Sequence, residues 1–154
     1  MDQNATILIA EDDNGHASLI QKNLERAGIL NPFLHLKDGQ ETLDFLFQAR
    51  DRCRREGGRS YLLILDIRMP KMDGFEVLER IKADPDLARV PVIVVTTTDD
   101  PVDKAKCRAL GCEDYITKSI DYEAFTAAIR RLGFFLKALD VPSLGSPDQP
   151  GDPP

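Results

Sequence analysis

The sequence predicts an α/β protein in which helices cover both faces of a parallel sheet. Two observations support this class. Segments typical of strands and of helices alternate five times along the 154 residues. The strand segments are also short, continuously apolar runs, which are typical of strands buried on both faces. In open sheets of this kind, ligands bind beyond the carboxyl ends of the strands, so we expect the functional residues there.

Five apolar runs are the predicted strands. The first, third and fourth are rich in aliphatic and β-branched residues, whereas the second and fifth are weaker. In chain order they are TILIA at Thr6–Ala10, PFLHL at Pro32–Leu36, Tyr61–Leu65, Val90–Val95 and Tyr115–Ile116.

Each predicted strand is followed by a segment whose apolar residues have helical spacing. We expect Asn14 to cap the first helix, and Asp13 and Asp73 to act as helix caps as well. We expect His16 to lie on the apolar face of the first helix. The helices are predicted from Asn14 to Gly28, from Lys37-Asp38-Gly39 to Gly57, from Asp73-Gly74 to about Asp84, from Pro101 to Gly111, and from about Asp121 onward. The last helix has a predicted core-facing stripe of Tyr122, Phe125, Ile129, Leu132, Leu136 and Leu139.

Composition and charge exclude several classes of protein. The net charge of −6 argues against a general nucleic-acid binder, which needs a basic face. No apolar run approaches the roughly 20 residues that span a bilayer, and no signal peptide is visible at the N-terminus. The three cysteines have no metal-like spacing. We therefore expect a cytoplasmic protein that binds neither nucleic acid nor membrane.

The chain is predicted to form one domain over residues 1–140, followed by a Pro-rich, disordered tail over residues 141–154. From Pro142 onward proline, glycine, serine and aspartate dominate, and we expect nothing there to fill a core. A helix-turn-helix cannot fit in this segment. Any output is therefore expected to pass through protein contacts.

Polar residues follow four of the five predicted strands. Glu11 and Asp12 follow the first, Asp66 the third, Thr96 the fourth and Lys118 the fifth. Singly, such residues are more often helix caps, solvated lysines or strand-forming threonines, but together at one sheet edge they indicate a site. Mg²⁺ suits an oxygen-only site with a few carboxylates, and an ionised carboxylate can accept a phosphoryl group.

Four motifs carry a resemblance to the receiver domain of two-component response regulators. They are ILIAEDD at Ile7–Asp13, LLILDIRMPKMDGFE at Leu62–Glu76, VPVIVVTT at Val90–Thr97 and DYITKS at Asp114–Ser119. The resemblance extends from about Ala5 to Leu139. It implies a flavodoxin-like, doubly wound (βα)5 fold with strand order 2-1-3-4-5. It also implies Mg²⁺ as cofactor and a sensor histidine kinase as phosphoryl donor.

The resemblance also implies roles for individual residues, position by position. In this chain they are Asp66 as phosphoacceptor, Glu11, Asp12, Asp66 and the backbone carbonyl of Arg68 as metal ligands, Thr96 as switch hydroxyl, Lys118 as partner of the acyl phosphate and Tyr115 as switch aromatic. A tyrosine that simply packs in the core is the alternative interpretation of Tyr115.

Two positions depart from the family pattern. Ser119 replaces the proline that usually follows the lysine in a cis peptide, so the bond is either trans or a rare non-proline cis bond. Arg68 lies two residues beyond the phosphoacceptor, where it either shields the acyl phosphate or points outward.

An alternative function is that of an aspartate-nucleophile phosphatase. Such an enzyme needs an acid two residues beyond the nucleophile, and this chain has Arg68 there, so the phosphatase is disfavoured. A non-phosphorylated binding module is disfavoured because every site group is present.

The sequence also suggests partners. The TKS motif and the extended second helix are similar to small single-domain regulators that serve bacterial phytochrome kinases. Receivers of this kind often form homodimers through helix 4, strand 5 and helix 5, and we expect one here. Phe134 lies opposite the core stripe of the last helix and is a candidate contact. The arginine run from Arg50 to Arg59 is either a solvated helix end or a docking surface for the kinase.

Overall fold

Five parallel strands and five helices alternate along the chain, as predicted. A computed structural model describes residues 1–145. The strands are β1 (Thr6–Ala10), β2 (Phe33–Leu36), β3 (Arg59–Leu65), β4 (Val92–Thr96) and β5 (Asp114–Thr117). The helices are α1 (Asn14–Arg26), α2 (Gly39–Glu56), α3 (Gly74–Ala83), α4 (Pro101–Ala109) and α5 (Tyr122–Ala138), with a single 3₁₀ turn at Leu87–Arg89. The sheet order β2-β1-β3-β4-β5 confirms the predicted fold class and topology.

The strand register aligns the carboxyl ends of the strands. Ala10 of β1 pairs with Leu65 of β3, and Thr96 of β4 pairs with Thr117 of β5. The first residue after β1, β3 and β5 continues the ladder; the Asp66 N–H, for example, donates to the Ala10 carbonyl over 3.0 Å. The residues that follow β1, β3 and β5 are therefore brought to one edge of the sheet.

The alternation of side chains along the strands divides the core into two layers. One layer packs against α1 and α5, and the other packs against α2, α3 and α4. The buried strand residues of the first layer are Ile7, Ile9, Leu62, Ile64, Ile93 and Val95, and those of the second include Leu8, Ala10, Leu36, Tyr61, Leu63, Leu65, Val92 and Val94. Both faces of the sheet are buried, which explains the continuously apolar strand sequences.

Aspartates cap all five α-helices. Each cap has extended backbone angles, and its carboxylate accepts a hydrogen bond from a backbone N–H in the first turn of the helix. The caps are Asp13, Asp38, Asp73, Asp100 and Asp121. The expectation that Asn14 caps α1 is wrong, because Asp13 accepts the His16 N–H and Asn14 is the first helical residue. The predicted caps at Asp13 and Asp73 are confirmed.

Two side chains predicted to face the core are exposed. Tyr122 is the first residue of α5 and lies outside the buried stripe formed by Phe125, Ile129, Leu132 and Leu136. His16 lies at the start of α1, where its ring faces the residues beyond the strands instead of the helix interface. In both cases the residue belongs to the first turn, which projects beyond the sheet that the rest of the helix covers.

The chain does not leave the core at residue 140. A sixth strand, β6 (Ser143–Leu144), pairs antiparallel with the start of β3. Leu144 is fully buried in the layer that packs against α2. The expectation that no residue from Pro142 onward fills the core is therefore wrong at Leu144. The division at residue 140 stays a prediction, and the remainder of the proposed tail, residues 146–154, lies outside the described residues.

Two residues of the arginine run tie α2 to the segment after α3. Arg50 forms ion pairs with Asp51 and Asp84, and Arg54 forms one with Asp86. Arg50 is largely buried and stacks on the Phe47 ring, with 4.7 Å from its guanidinium carbon to the ring centroid. At least these two arginines therefore form ion pairs within the fold and are not simply solvated side chains at a helix end.

Within residues 1–145, no helix combines the length and the apolar character that crossing a membrane requires.

Candidate functional site

Three carboxylates meet at the carboxyl edge of the sheet. Glu11, Asp12 and Asp66 each offer one oxygen atom, and these oxygens lie within 4.8 Å of one another. Glu11 and Asp66 are only 1% and 5% exposed, whereas Asp12 is open to solvent. Two buried acids and one exposed acid form an oxygen-only donor set with an open side. This set fits a Mg²⁺ ion that keeps several waters.

The local backbone fixes the Asp66 carboxylate. The Arg68 N–H donates to Asp66 Oδ1 over 3.1 Å, and the Gly74 N–H donates to the Ile67 carbonyl over 2.9 Å. The start of α3 therefore lies directly against the backbone of Asp66. A Cβ atom at Gly74 would lie 2.6 Å from the Asp66 carbonyl oxygen, closer than real Cβ contacts come. Glycine is thus required at this position by close approach.

Lys118 supplies the positive charge of the site. Its side chain is 6% exposed, and its ammonium donates to Asp66 Oδ2 over 3.2 Å and to Glu11 Oε1. The ammonium also lies 3.1 Å from His16 Nδ1. The Lys118 N–H continues the ladder by donating to the Thr96 carbonyl over 2.6 Å. The lysine is therefore held from β5 directly against the two buried acids.

Burial raises the pKa of Glu11 to about 8, and the charge of Asp66 adds to the effect. The hydrogen bond and the charge of Lys118 act in the opposite direction, but they do not offset the loss of hydration. Around neutral pH Glu11 therefore carries a proton for much of the time. A divalent cation beside Glu11 would favour the ionised carboxylate and compete with that proton.

Thr96 is fully buried at the end of β4, and none of the residues that the structure describes offers its hydroxyl a hydrogen bond. A buried hydroxyl without a partner is unfavourable by about 1–3 kcal/mol. Such a group is uncommon in folded proteins and requires an explanation. A ligand oxygen at the carboxyl edge of the sheet would supply the missing partner.

Tyr115 belongs to β5, and its side chain contacts the loop that precedes α4. Its hydroxyl donates to the Thr98 carbonyl over 2.8 Å, and its ring is half-buried. Burial, chiefly, raises the pKa of the Tyr115 phenol to about 12. The hydroxyl is therefore a donor throughout the physiological pH range, and it ties β5 to the segment after β4.

Arg68 directs its side chain toward α4. The guanidinium Nη2 lies 3.8 Å from Asp103 Oδ2, and the Arg68 side chain is 65% exposed.

Within residues 1–145 no peptide bond is cis, so the bond between Lys118 and Ser119 is trans. Of the two alternatives predicted for this bond, the trans bond is therefore the one present.

Three side chains near these features were not assigned a role from the sequence. His16 contacts the Lys118 ammonium, and Asp103 contacts Arg68. The third is Phe135 on α5, which is partly exposed. Its neighbour Phe134 is 68% exposed, as predicted. Phe135 has helical spacing with Arg131, which lines a groove beside β5. Only the spacing of Phe135 and Arg131 could have been found from the sequence, because the other contacts join distant segments.

The chain matches one protein family over most of its length. The family described as the response regulator receiver domain matches residues 7–130. Among curated proteins, the chain is similar to the response regulator Rcp1 of Synechocystis sp. (strain ATCC 27184 / PCC 6803 / Kazusa), with 33% identity over 138 residues. That alignment covers 89% of this chain and 92% of Rcp1.

Solved structures agree with this match. A response regulator receiver domain from Rhodospirillum rubrum has a TM-score of 0.82 and 42% identity, covering 90% of this chain and 97% of that one. The Mn²⁺-bound form of Rcp1 has a TM-score of 0.78 and 32% identity, covering 90% of this chain and 99% of that one. The phosphorylated cyanobacterial phytochrome response regulator RcpA has a TM-score of 0.78 and 31% identity, with the same coverage.

Proposed function

Because this chain belongs to the response regulator receiver domain family, we propose that it accepts a phosphoryl group on Asp66 from a sensor histidine kinase, with Mg²⁺ as cofactor. The observation that carries the proposal is the pocket itself. Three carboxylate oxygens within 4.8 Å, a buried lysine on Asp66 and a buried hydroxyl without a partner occur together at one sheet edge. Receiver domains take phosphoryl groups from histidine kinases and bind Mg²⁺ at an acidic pocket.

In the proposed reaction, an oxygen of the Asp66 carboxylate attacks the phosphorus atom of phosphohistidine. The O–P bond forms as the N–P bond breaks, and the imidazole of the kinase leaves with the electron pair of that bond. The Lys118 ammonium, which already donates to Asp66, would bind one phosphoryl oxygen. The Thr96 hydroxyl would donate to another and gain the partner that it lacks. Both groups offset charge on the oxygens of the transferring group.

Glu11 and Asp12 would hold the cation, together with Asp66 and the backbone carbonyl of Arg68. A bound Mg²⁺ neutralises charge on the phosphoryl oxygens. Asp12 is the exposed member of the set, so it lies on the side from which a hydrated ion enters. Tyr115 is the proposed switch aromatic. Its hydroxyl already contacts the loop after Thr96, so a shift of that loop would change its only described hydrogen bond.

Labelling with acetyl phosphate tests the proposal. We expect one acyl phosphate per chain in the presence of Mg²⁺, released by hydroxylamine, and a decrease of the label to background in Asp66→Asn. Asp73→Asn is the matched control, because Asp73 is an acid of the same loop, between β3 and α3, that acts as a helix cap. An unlabelled parent protein, or a labelled Asp66→Asn, would contradict the phosphoacceptor role. Release of phosphate from small phosphomonoesters would favour the phosphatase alternative instead.

We propose a bacterial phytochrome kinase as the phosphoryl donor. The similarity to RcpA, a phytochrome response regulator, over 90% of this chain supports this choice. The measurement is phosphotransfer from a phosphorylated phytochrome kinase, compared with an unrelated histidine kinase at equal concentration. We expect transfer to Asp66 to be faster from the phytochrome kinase by at least an order of magnitude. Equal rates from the two kinases would contradict the pairing.

A homodimer through α4, β5 and α5 is the proposed output. β5 is an edge strand with partly exposed residues, and Phe134 and Phe135 are exposed on α5. Exposed aromatics beside an edge strand are typical of contact surfaces. Sedimentation with and without acetyl phosphate tests this proposal, with Phe134→Ala expected to weaken the dimer. Leu30→Ala removes an even more exposed apolar group from the α1–β2 loop and is the control. A monomer under both conditions would exclude the dimer.

A further inference from the structure

Arg68 connects the phosphoacceptor loop with α4. Its backbone N–H donates to Asp66 Oδ1 over 3.1 Å, whereas its guanidinium lies 3.8 Å from Asp103 Oδ2 on α4. Asp103 is the ion-pair partner of the Arg68 guanidinium within residues 1–145. One residue therefore contacts the proposed phosphorylation site with its main chain and α4 with its side chain.

The Asp103 carboxylate serves a second contact with the same oxygen. Asp103 Oδ2 accepts a hydrogen bond from the Thr98 hydroxyl over 3.0 Å. The Thr98 carbonyl in turn accepts the Tyr115 hydroxyl over 2.8 Å. The guanidinium of Arg68 is thus linked through Asp103 to the loop after β4 and to β5.

Charge and geometry make this ion pair easy to exchange. The pair is open to solvent on the Arg68 side, although the Asp103 side chain is only 20% exposed, and its two charges lie 3.8 Å apart. Solvent-exposed pairs contribute only about 0.2–1 kcal/mol. A phosphoryl group on Asp66 would carry nearly two negative charges and three acceptor oxygens. The guanidinium fork binds such oxygens with two parallel hydrogen bonds. Since the backbone of Arg68 already contacts Asp66, its long side chain can reach a group attached there.

We propose that Asp103 is a positioning residue for the phosphoryl chemistry. It holds the Arg68 guanidinium against α4 while Asp66 is free, and the guanidinium leaves Asp103 for the phosphoryl oxygens when a phosphoryl group approaches or occupies Asp66. Asp103 therefore competes with the incoming group for Arg68. This inference rests on the proposed function, because it requires phosphoryl transfer to Asp66.

The test is the variant Asp103→Asn, which keeps an acceptor oxygen for Thr98 and removes the charge that holds Arg68. At subsaturating acetyl phosphate with Mg²⁺, we expect labelling about two- to five-fold faster than in the parent protein, the factor that the loss of one exposed ion pair gives. Hydrolysis of the label should slow by a similar factor. Asp103→Glu, which keeps the charge, should restore the parental rates. Asp99→Asn is the matched control, because Asp99 pairs with Lys104 and not with Arg68.

The background variant Arg68→Ala makes the test specific. In that background Asp103→Asn should change neither rate, since Asp103 acts through Arg68. High salt should also reduce the difference between parent and Asp103→Asn, because the exposed pair is screened. An equal effect of Asp103→Asn in both backgrounds, or no effect in the parent background, would overturn this inference alone. A parent protein that acetyl phosphate does not label would overturn both this inference and the proposed function.

Discussion

Helices α3 and α4 cover the same face of the sheet and have almost the same length, but they are anchored very differently. α3 buries four of its ten residues, Gly74, Val77, Leu78 and Ile81. α4 buries Cys107 alone among its nine residues. α3 is also pressed against the backbone of Asp66 through Gly74. The loop that carries Asp66 therefore rests on a firmly packed helix, whereas α4 is held mainly by polar contacts and can shift at lower cost.

The largest expected effect tests the firmly packed helix. Ile81→Ala should lower the free energy of unfolding by about 2–5 kcal/mol, because it removes a fully buried side chain from the core layer. Val102→Ala on α4 should change it by less than about 0.5 kcal/mol, because Val102 is exposed. Urea unfolding measures both variants. Similar losses for the two variants would remove the contrast between the helices.

The next effect concerns the buried acid of the pocket that α3 supports. The pKa of Glu11 is raised to about 8 in the folded protein from an ordinary value of 4.5. Between those values the folded state binds the proton and the unfolded state does not, so stability falls as pH rises from about 4.5 to about 8. The slope contributed by this group is at most about 1.4 kcal/mol per pH unit.

Urea unfolding of the metal-free protein across this pH range measures the slope. Glu11→Gln should lose this part of the pH dependence. Near pH 7 its free energy of unfolding should differ from that of the parent by about 1–3 kcal/mol. Mg²⁺ should stabilise the parent more at pH 8 than at pH 5, since it binds the ionised carboxylate. The same pH dependence in parent and Glu11→Gln would show that another group titrates in this range.

The smallest effect tests the polar attachment beside α4. Tyr115→Phe removes the hydrogen bond to the Thr98 carbonyl and should lower the free energy of unfolding by about 0.5–1.5 kcal/mol. Tyr122→Phe is the control, because Tyr122 is exposed at the start of α5. A loss in Tyr115→Phe several times larger than the expected value of about 0.5–1.5 kcal/mol would mean that the α4 side is anchored more firmly than its burial indicates.

The sequence predicted the layers of the fold because strands buried on both faces leave continuous apolar runs. It also predicted which residues lie beyond the strands, since parallel strands end at one edge of the sheet. The oxygens of Glu11, Asp12 and Asp66 do meet there. The strand order was expected from the family resemblance, because periodicity does not determine which strands are neighbours.

Contacts between distant segments could not be predicted in this way. The pairing of Arg68 with Asp103 depends on how α4 lies against the loop after β3. The approach of His16 to Lys118 depends on the path of the first turn of α1. Strand β6 has two residues and follows a proline, so no period can be detected in it. These features follow from tertiary packing, and a single sequence carries no periodic signal for them.

Strand β6 and the glycine after it have a practical consequence for protein engineering. Leu144 fills the layer beneath α2, and a Cβ at Gly145, which has a φ of 67°, would lie 2.7 Å from the Cys53 backbone. Shortening the gene at codon 140, or joining a reporter there, would remove a core side chain and uncover the beginning of β3. Fusion partners are better attached after Gly145, so that Leu144 stays buried and β6 stays paired with β3.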